Sequence, residues 1–240
     1  MNNYEALQIV DGLLLGDGSL VHAGFSAYFS MSLSDRSMRI STDSFLEYLE
    51  YIGTAFDSLS IERTDGDPKV LYAKYMDGSK RAKGKFSTKT NKILKDLYDK
   101  WYRVHNGHKE IPEDFRLTPI SLAYFYMSDG NLNVVKKVYS GQLRIYHTAS
   151  FAANGFKLKS IEILEREFRN LSIGTYRANC SNGLLYGADI RLCILAESLD
   201  KFKNIIRPYL IQPYLYKLSG IKEEHTKETF ADKLAKLKKL

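Results

Sequence analysis

An internal repeat places the strongest constraint on the fold of this chain. Residues 7–20 and 120–132 are two largely apolar runs, and each closes with Asp-Gly, a polar residue and leucine. The two aspartates, Asp17 and Asp129, lie far apart along the chain. Repetition on this scale indicates that one supersecondary unit occurs twice, because a single copy buries its hydrophobic face only against a neighbour.

The sequence after each run predicts the same series of elements. Apolar and polar residues alternate over 25–34 and, more briefly, over 142–148, which predicts strands with one buried face. Helical patterns follow at 44–56 and 156–168. Turn signals such as Asp-Gly and Asn-Gly then separate further predicted strands at 59–64, 69–76, 81–89, 175–180 and 184–194. Final helices are predicted at 92–102 and 197–209.

These elements give an α+β chain with an α-β-β-α-β-β-α unit used twice. The predicted boundaries are residues 1–105 for the first unit, 106–119 for a connector with two prolines, and 120–221 for the second unit. A basic tail, 222–240, carries leucines at helical spacing and predicts a short surface helix.

Composition narrows the functional classes. The chain has 35 Lys and Arg against 28 Asp and Glu, a net charge of +7, which favours a polyanionic partner. Two cysteines are too few for a disulfide scaffold or a zinc site. Residues 1–5 lack Lys and Arg, Asp11 and Asp17 interrupt the first apolar run, and no window reaches the roughly 18–20 apolar residues of a membrane span. We therefore expect a soluble, intracellular protein that does not interact with a membrane.

Each motif is typical of a helix that ends at Asp-Gly. Gly18 and Gly130 are predicted to cap these helices in a left-handed conformation. Asp17 and Asp129 then lie at the negative end of a helix dipole, where a carboxylate costs roughly 0.3–1 kcal/mol. The same unfavourable choice in both copies indicates function, because sequences break local rules mainly at functional sites.

Small residues predict that the two motif helices contact each other. Gly12 and Gly16 are four residues apart on the first helix and share a face, while Ala123 and Ser128 are the small residues of the second. Parallel, side-by-side helices with such faces would bring their ends together.

That arrangement would place Asp17 beside Asp129. Two facing carboxylates repel each other unless a divalent cation neutralises them, and oxygen ligands suit Mg²⁺. Such a site is suited to phosphodiester hydrolysis by metal-activated water. For one motif alone, an ordinary glycine-capped helix with a solvated aspartate is the better interpretation, and the repeat reverses that preference.

The motifs at residues 10–18 and 122–130 resemble the two copies of the LAGLIDADG motif in single-chain homing endonucleases. The second half is similar to intron-encoded mitochondrial enzymes of yeasts through shared segments at 109–112, 117–124, 206–210 and 216–218. The resemblance extends from about residue 5 to residue 220. It implies two pseudo-symmetric αββαββα units forming a saddle of two antiparallel sheets over double-stranded DNA, with the motif helices at the central interface.

The resemblance also implies the site residues. The metal-binding acids would be Asp17 and Asp129, helped by the backbone carbonyls of Gly16 and Ser128. Mg²⁺ is the expected cation, and Mn²⁺ or Ca²⁺ would also be able to occupy the site. Two basic residues would polarise the bound water or offset charge at the scissile phosphate: Lys109 and Lys217.

Three features depart from the family pattern. Leu15 and Met127 stand at the sixth motif position, where the family has an aspartate that is not the catalytic acid. Tyr124 replaces a motif glycine, so the helix interface is predicted to be asymmetric, and Asp11 stands where a small residue is usual. None of these changes removes a catalytic group.

The solvent-facing side of the predicted sheets would contact DNA, since a two-stranded ribbon fits the major groove and Lys and Arg bind phosphates or guanine. The residues assigned to this side are Ser26, Tyr28, Ser30, Ser32, Arg81, Lys83, Lys85, Gln142, Arg144, Tyr146, Arg177 and Asn179. Further basic residues predicted to contact DNA are Lys69, Lys74, Lys80, Lys136, Lys137 and Arg191.

The resemblance implies a monomeric, site-specific endonuclease that cuts both strands of a long, asymmetric DNA target with a divalent metal and leaves short 3′ overhangs. One alternative is a maturase that binds its own intron RNA, and another is a non-catalytic DNA-binding regulator on the same fold. A mitochondrial location is expected, with a microbial cytoplasm as the alternative.

Overall fold

The computed structural model describes residues 1–34, 42–64, 68–74, 80–102, 107–140, 142–153, 155–179 and 190–219. Within these ranges the predicted order of helices and strands occurs twice. The first half contains α1 (Asn3–Leu15), β1 (Gly18–Ala23), β2 (Ser26–Ser34), α2 (Thr42–Ser58), β3 (Lys69–Lys74), β4 (Lys80–Ser87) and α3 (Lys92–Trp101).

The second half repeats this order. It contains α4 (Pro119–Asp129), β5 (Gly130–Tyr139), β6 (Gln142–Ala152), α5 (Leu158–Asn170), β7 (Thr175–Asn179), β8 (Ile190–Ile194) and α6 (Leu199–Ile206), followed by the short α7 (Tyr216–Ser219). None of the helices in the described ranges is long and apolar enough to cross a membrane.

Each half forms one four-stranded antiparallel sheet, with strand order β1-β2-β4-β3 in the first and β5-β6-β8-β7 in the second. One face of each sheet is covered by helices: Phe29 packs on Phe56 of α2, and Phe151 packs on Phe125 of α4 and Phe168 of α5. We call the opposite side of each sheet its outer face. Mixed helices and antiparallel sheets confirm the predicted α+β class.

Side-chain caps fix where the two motif helices begin. The Asn2 side chain accepts a hydrogen bond from the Glu5 backbone N–H, while the Glu5 carboxylate accepts one from Asn2. Thr118 caps α4 in the same way through Ser121, and Pro119 occupies the first helical position. These caps stabilise helices that are otherwise too short to form alone.

The strand predicted at 59–64 is wrong. Helix α2 continues to Ser58, and the chain then turns through Ser60 at φ 57°, with Leu59 and Ile61 buried. The alternation prediction is also wrong at Phe25, which lies in the β1–β2 turn and is fully exposed. The turn signals at 65–67, 77–78 and 182–183 and the tail at 222–240 lie outside the described residues.

The predicted left-handed caps at Gly18 and Gly130 are also wrong. Gly130 is extended, at φ −79° and ψ 144°, and both glycines open a strand. Glycine is required there for space, because a Cβ on Gly130 would lie 2.0 Å from Cδ2 of Tyr126, and one on Gly18 would lie 2.7 Å from the ring of Phe29. A sharp helix-to-strand corner therefore follows each motif.

Candidate active site and DNA interface

The motif helices α1 and α4 pack directly against each other. A Cβ on Gly12 would lie 2.5 Å from the carbonyl oxygen of Ser121 and 2.7 Å from Cβ of Tyr124, and one on Gly16 would lie 2.4 Å from Cβ of Ser128. The close contact predicted from the two glycines is thus present. It is asymmetric, as expected, because Tyr124 faces Gly12 where a second glycine would have made the helices equivalent.

This contact brings the two motif aspartates into one site. Asp129 is the last residue of α4, and Asp17 follows Gly16, the residue that caps α1. The Cβ position of Gly16 is 3.7 Å from Oδ2 of Asp129, so the carboxylate of the second motif lies against the end of the first motif helix. The corners after α1 and α4 are therefore neighbours.

Burial raises the pKa of both aspartates of this pair, and the charge of Asp17 adds to the rise at Asp129. Desolvation, followed by the charge of Asp17, raises the pKa of Asp129 to about 7. Desolvation also raises the pKa of Asp17, although the surface of that residue stays open to solvent, and nearby ammonium groups oppose the rise. A pair that is costly to ionise together favours a cation between its members.

Two half-buried lysines complete the corners. Lys109, from the connector, donates hydrogen bonds from Nζ to the carbonyl oxygens of Leu14, Gly16 and Gly18, at 2.8–2.9 Å. Lys217, from α7, donates to the carbonyl oxygens of Tyr126, Met127 and Gly130 at 2.6–3.1 Å, with that of Ser128 at 3.4 Å. Burial lowers the pKa of each ammonium to about 8, and both aspartates oppose this effect.

The donor atoms fit a hard divalent cation. The site offers two carboxylates and nearby carbonyl oxygens, the ligand chemistry that Mg²⁺ and Ca²⁺ prefer. No group of three or more His, Cys, Asp or Glu that could hold a metal occurs in the described ranges, so a cation here would rely on the two carboxylates. The carbonyls of Gly16 and Ser128, predicted as metal ligands, each contact a lysine ammonium, so the two aspartates are the principal candidates for holding a cation.

The sequence profile of the LAGLIDADG DNA endonuclease family matches residues 7–202, which include both motifs and both sheets. The chain belongs to this family. The described corners are therefore the two motif ends of a LAGLIDADG protein, and the resemblance in the sequence is confirmed.

Individual relatives agree with this assignment. The chain is 30% identical over 175 residues to the probable intron-encoded endonuclease 1 of Wickerhamomyces canadensis, covering 71% of this chain and 68% of that protein. It is 28% identical over 146 residues to the DNA endonuclease I-ChuI of Chlamydomonas applanata, covering 58% of this chain and 63% of that protein.

Solved structures show the same fold. The homing endonuclease I-WcaI, bound to its DNA recognition sequence, superposes with a TM-score of 0.68 at 21% identity over 89% of this chain and 85% of that one. At this identity the likeness concerns the fold: two antiparallel sheets arranged as a saddle around a central pair of LAGLIDADG helices.

Strand register assigns each predicted DNA-contacting residue to a face, because residues paired across antiparallel strands share a side. In the first sheet, Ser32 pairs with Lys85, which pairs with Lys69. In the second, Arg144 pairs with Lys137. The residues at outer-face positions are Ser26, Tyr28, Ser30, Ser32, Lys69, Arg81, Lys83, Lys85, Lys137, Gln142, Arg144, Tyr146 and Arg191.

Five of the predicted DNA-contacting residues occupy helix-side positions instead, and for two of them, Arg177 and Asn179, the predicted outer-face placement is wrong. Lys74 and Lys80 pair with each other, in phase with Gly84 of the helix side, and Lys136 pairs with Ile145. Arg177 and Asn179 pair with the buried residues Leu192 and Ile190.

Arg177 has a structural partner on its own side of the sheet. Its guanidinium forms a two-pronged ion pair with Glu165 of α5, with N–O distances of 2.6 and 2.7 Å. The guanidinium lowers the pKa of that carboxyl through these hydrogen bonds. Arg177 therefore ties β7 to α5.

Tyr48 is a site residue that sequence reasoning missed. This α2 residue is buried, and its ring lies 4.9 Å from that of Tyr214. Burial raises the pKa of its hydroxyl, and the charges of Asp17 and Asp129 add to the rise. A tyrosine in an amphipathic helix usually reports only a core position, and nothing in its spacing distinguishes this one.

Proposed function

We propose that this chain is a site-specific DNA endonuclease that hydrolyses both strands of a long, asymmetric duplex and leaves short 3′ overhangs. The observation that carries the proposal is the junction of two equivalent helix-to-strand corners, each with an aspartate at its apex, within one chain. Two corners provide one acid for each strand. Because one chain supplies both, we propose that it acts as a monomer.

The outer faces provide the surface for DNA. Lys83, Lys85, Arg144 and Arg191 are exposed there, where they would neutralise phosphates or reach base edges. Serines of β2 and Gln142 add hydrogen-bonding groups to the same faces. A duplex lying across both sheets would pass the corners midway, so that Asp17 and Asp129 would face the scissile phosphates.

The acids would act through a divalent cation such as Mg²⁺. A cation held there supplies an activated water and neutralises charge on the phosphate. Asp17 and Asp129 would hold and orient it, and their pKa values are raised mainly by burial, a cost of ionisation that a bound cation would offset. Mn²⁺ and Ca²⁺ match the same oxygen donors.

The test starts with a target selected by binding from a randomised duplex library and cloned into a plasmid. With Mg²⁺, the chain should linearise the plasmid and leave short 3′ overhangs. Asp17→Asn and Asp129→Asn should each slow double-strand cleavage by about 10³-fold while DNA affinity is retained, as is typical when a group stabilising the transition state is removed. Asp200→Asn, an exposed acid on α6, is the matched control.

Wild-type rates in either motif variant would contradict the assignment of the acids. Binding without cleavage by the unmodified chain, with each of the three cations, would favour the regulator. Affinity for the RNA of a host intron would indicate a maturase role, which stays a prediction, as does the mitochondrial location.

A further inference from the structure

The hydrogen bonds of Lys109 and Lys217 engage every donor of both ammonium groups. A lysine ammonium has three N–H donors and no acceptor. Nζ of Lys109 has three carbonyl oxygens within 2.9 Å, and Nζ of Lys217 has three within 3.1 Å and a fourth at 3.4 Å. These donors are thus committed to the main chain, whereas the family resemblance implies that they polarise bound water or offset charge at the scissile phosphate.

The carbonyls involved have a common position. Gly16 and Gly18 are the two neighbours of Asp17, and the oxygens of both bind Lys109. Ser128 and Gly130 are the two neighbours of Asp129, and the oxygens of both face Lys217. Each ammonium therefore spans one catalytic aspartate and joins the end of its helix to the start of the next strand.

The contacts are favourable in their own right. The last carbonyls of a helix have no partner within the helix, and a cation at that end interacts well with the helix dipole. Lys217 is held in place from its other side as well: its Nζ lies 5.9 Å from the ring centre of Tyr126 and 5.6 Å from that of Tyr214, and the Tyr126 hydroxyl donates to the Lys217 carbonyl at 2.9 Å.

We propose that Lys109 and Lys217 are positioning residues, which clamp the main chain on both sides of Asp17 and Asp129 and so set the carboxylates for a cation before it binds. Their part in cleavage is indirect. The cleavage test rests on the proposed function, whereas the clamp itself is measurable without DNA or metal.

The decisive variants are Lys109→Arg and Lys217→Arg, which keep the positive charge. The planar guanidinium fork cannot direct donors toward three carbonyls around one point. The Mg²⁺ concentration that gives half-maximal cleavage should rise at least about tenfold, in the range seen when support of a metal ligand is removed, while the rate at saturating Mg²⁺ stays close to that of the unmodified chain. Lys201→Arg, on the exposed side of α6, is the control.

Two outcomes would overturn the proposal. If the ammonium acts on water through its charge alone, arginine can take over its role, because it carries the same charge. The variants would then cleave with normal Mg²⁺ dependence. A group that took part in the chemistry would give a lower maximal rate with an unchanged Mg²⁺ requirement.

Amide hydrogen exchange tests the clamp in the free protein. Lys109→Met should speed exchange at residues 16–20 and leave 128–132 unchanged, and Lys217→Met should do the reverse. Unchanged exchange at both corners would refute the clamp even if the chain cleaves DNA. Local changes at the matching corner would support it even if no cleavage is found, so the two proposals fail separately.

Discussion

The two motif helices are alike at their C-terminal ends but differ along the sides that pack against each other. Both α1 and α4 finish in a corner with an aspartate at the apex and a lysine ammonium beneath it. Along their sides, Gly12 of α1 faces Tyr124 of α4, and Asp11 of α1 corresponds to Ala123 of α4. Function constrains the helix ends closely, whereas close approach of the helices requires glycine on only one of them.

Gly12→Ala tests the side contact, and we expect the largest effect there. The added Cβ would meet backbone and Cβ atoms at 2.5 and 2.7 Å, so the helices would have to separate. The free energy of unfolding should fall by about 3 kcal/mol, the upper part of the usual range for an overpacked core. Denaturant titration measures this change. Gly155→Ala, where nothing lies within 4 Å of the new Cβ, is the control, and equal stability of the two variants would refute the contact.

Asp11→Asn tests the departure from the family pattern at the residue before Gly12. The quantity to follow is the pH dependence of the free energy of unfolding. Burial raises the pKa of Asp11 to about 7, while a hydrogen bond from Trp101 and the charge of Lys100 oppose the rise. The folded state therefore holds a proton that the unfolded chain releases near pH 4, and the free energy of unfolding falls as pH rises from about 4 to about 7.

Asparagine removes this contribution. The free energy of unfolding of the variant, relative to that of the unmodified chain, should be about 1–2 kcal/mol higher at pH 8 than at pH 5. Denaturant titration at both pH values measures this difference. The exposed Asp200→Asn should show no such difference. A gain that is equal at both pH values would mean that Asp11 is ionised throughout this range.

Arg191 and Arg177 offer the smallest and most selective test, because they lie on opposite faces of one sheet. Arg191→Ala should weaken DNA binding severalfold and reduce the slope of log affinity against log salt by about one, as expected for a lost phosphate contact. Arg177→Ala should leave DNA affinity unchanged and alter stability by no more than about 1 kcal/mol, since it loses only the ion pair with Glu165. Equal losses of affinity would refute the assignment of faces.

The repeat made much of this architecture predictable. Alternation over β2 correctly placed Ala27, Phe29 and Met31 in the core, because one face of that strand is wholly apolar. The same reasoning failed for β7, because its apolar phase, Tyr176 and Ala178, pairs with Cys193 and Arg191 on the outer face. Only pairing with β8 resolves which side is buried.

The site itself was only partly predictable. Motif spacing located both aspartates, since helix ends follow from local sequence. The carbonyls bound by Lys109 depend on the path of the connector, and the approach of Tyr48 depends on how α2 packs, which are tertiary properties. The glycine after each aspartate was correctly predicted to be necessary, but for the wrong reason. The prediction rested on dihedral freedom, whereas the structure requires glycine because no space is left for a Cβ atom.

The connector has a consequence for dissecting the molecule. Lys109, which completes the first corner, follows the predicted end of the first unit at residue 105, and the segment that carries it continues into the Thr118 cap of α4. A fragment of residues 1–105 would lack Lys109, whose ammonium binds the carbonyl oxygens on both sides of Asp17. Any attempt to turn one half into a self-pairing enzyme should therefore divide the gene after codon 109, so that each copy carries its lysine with it.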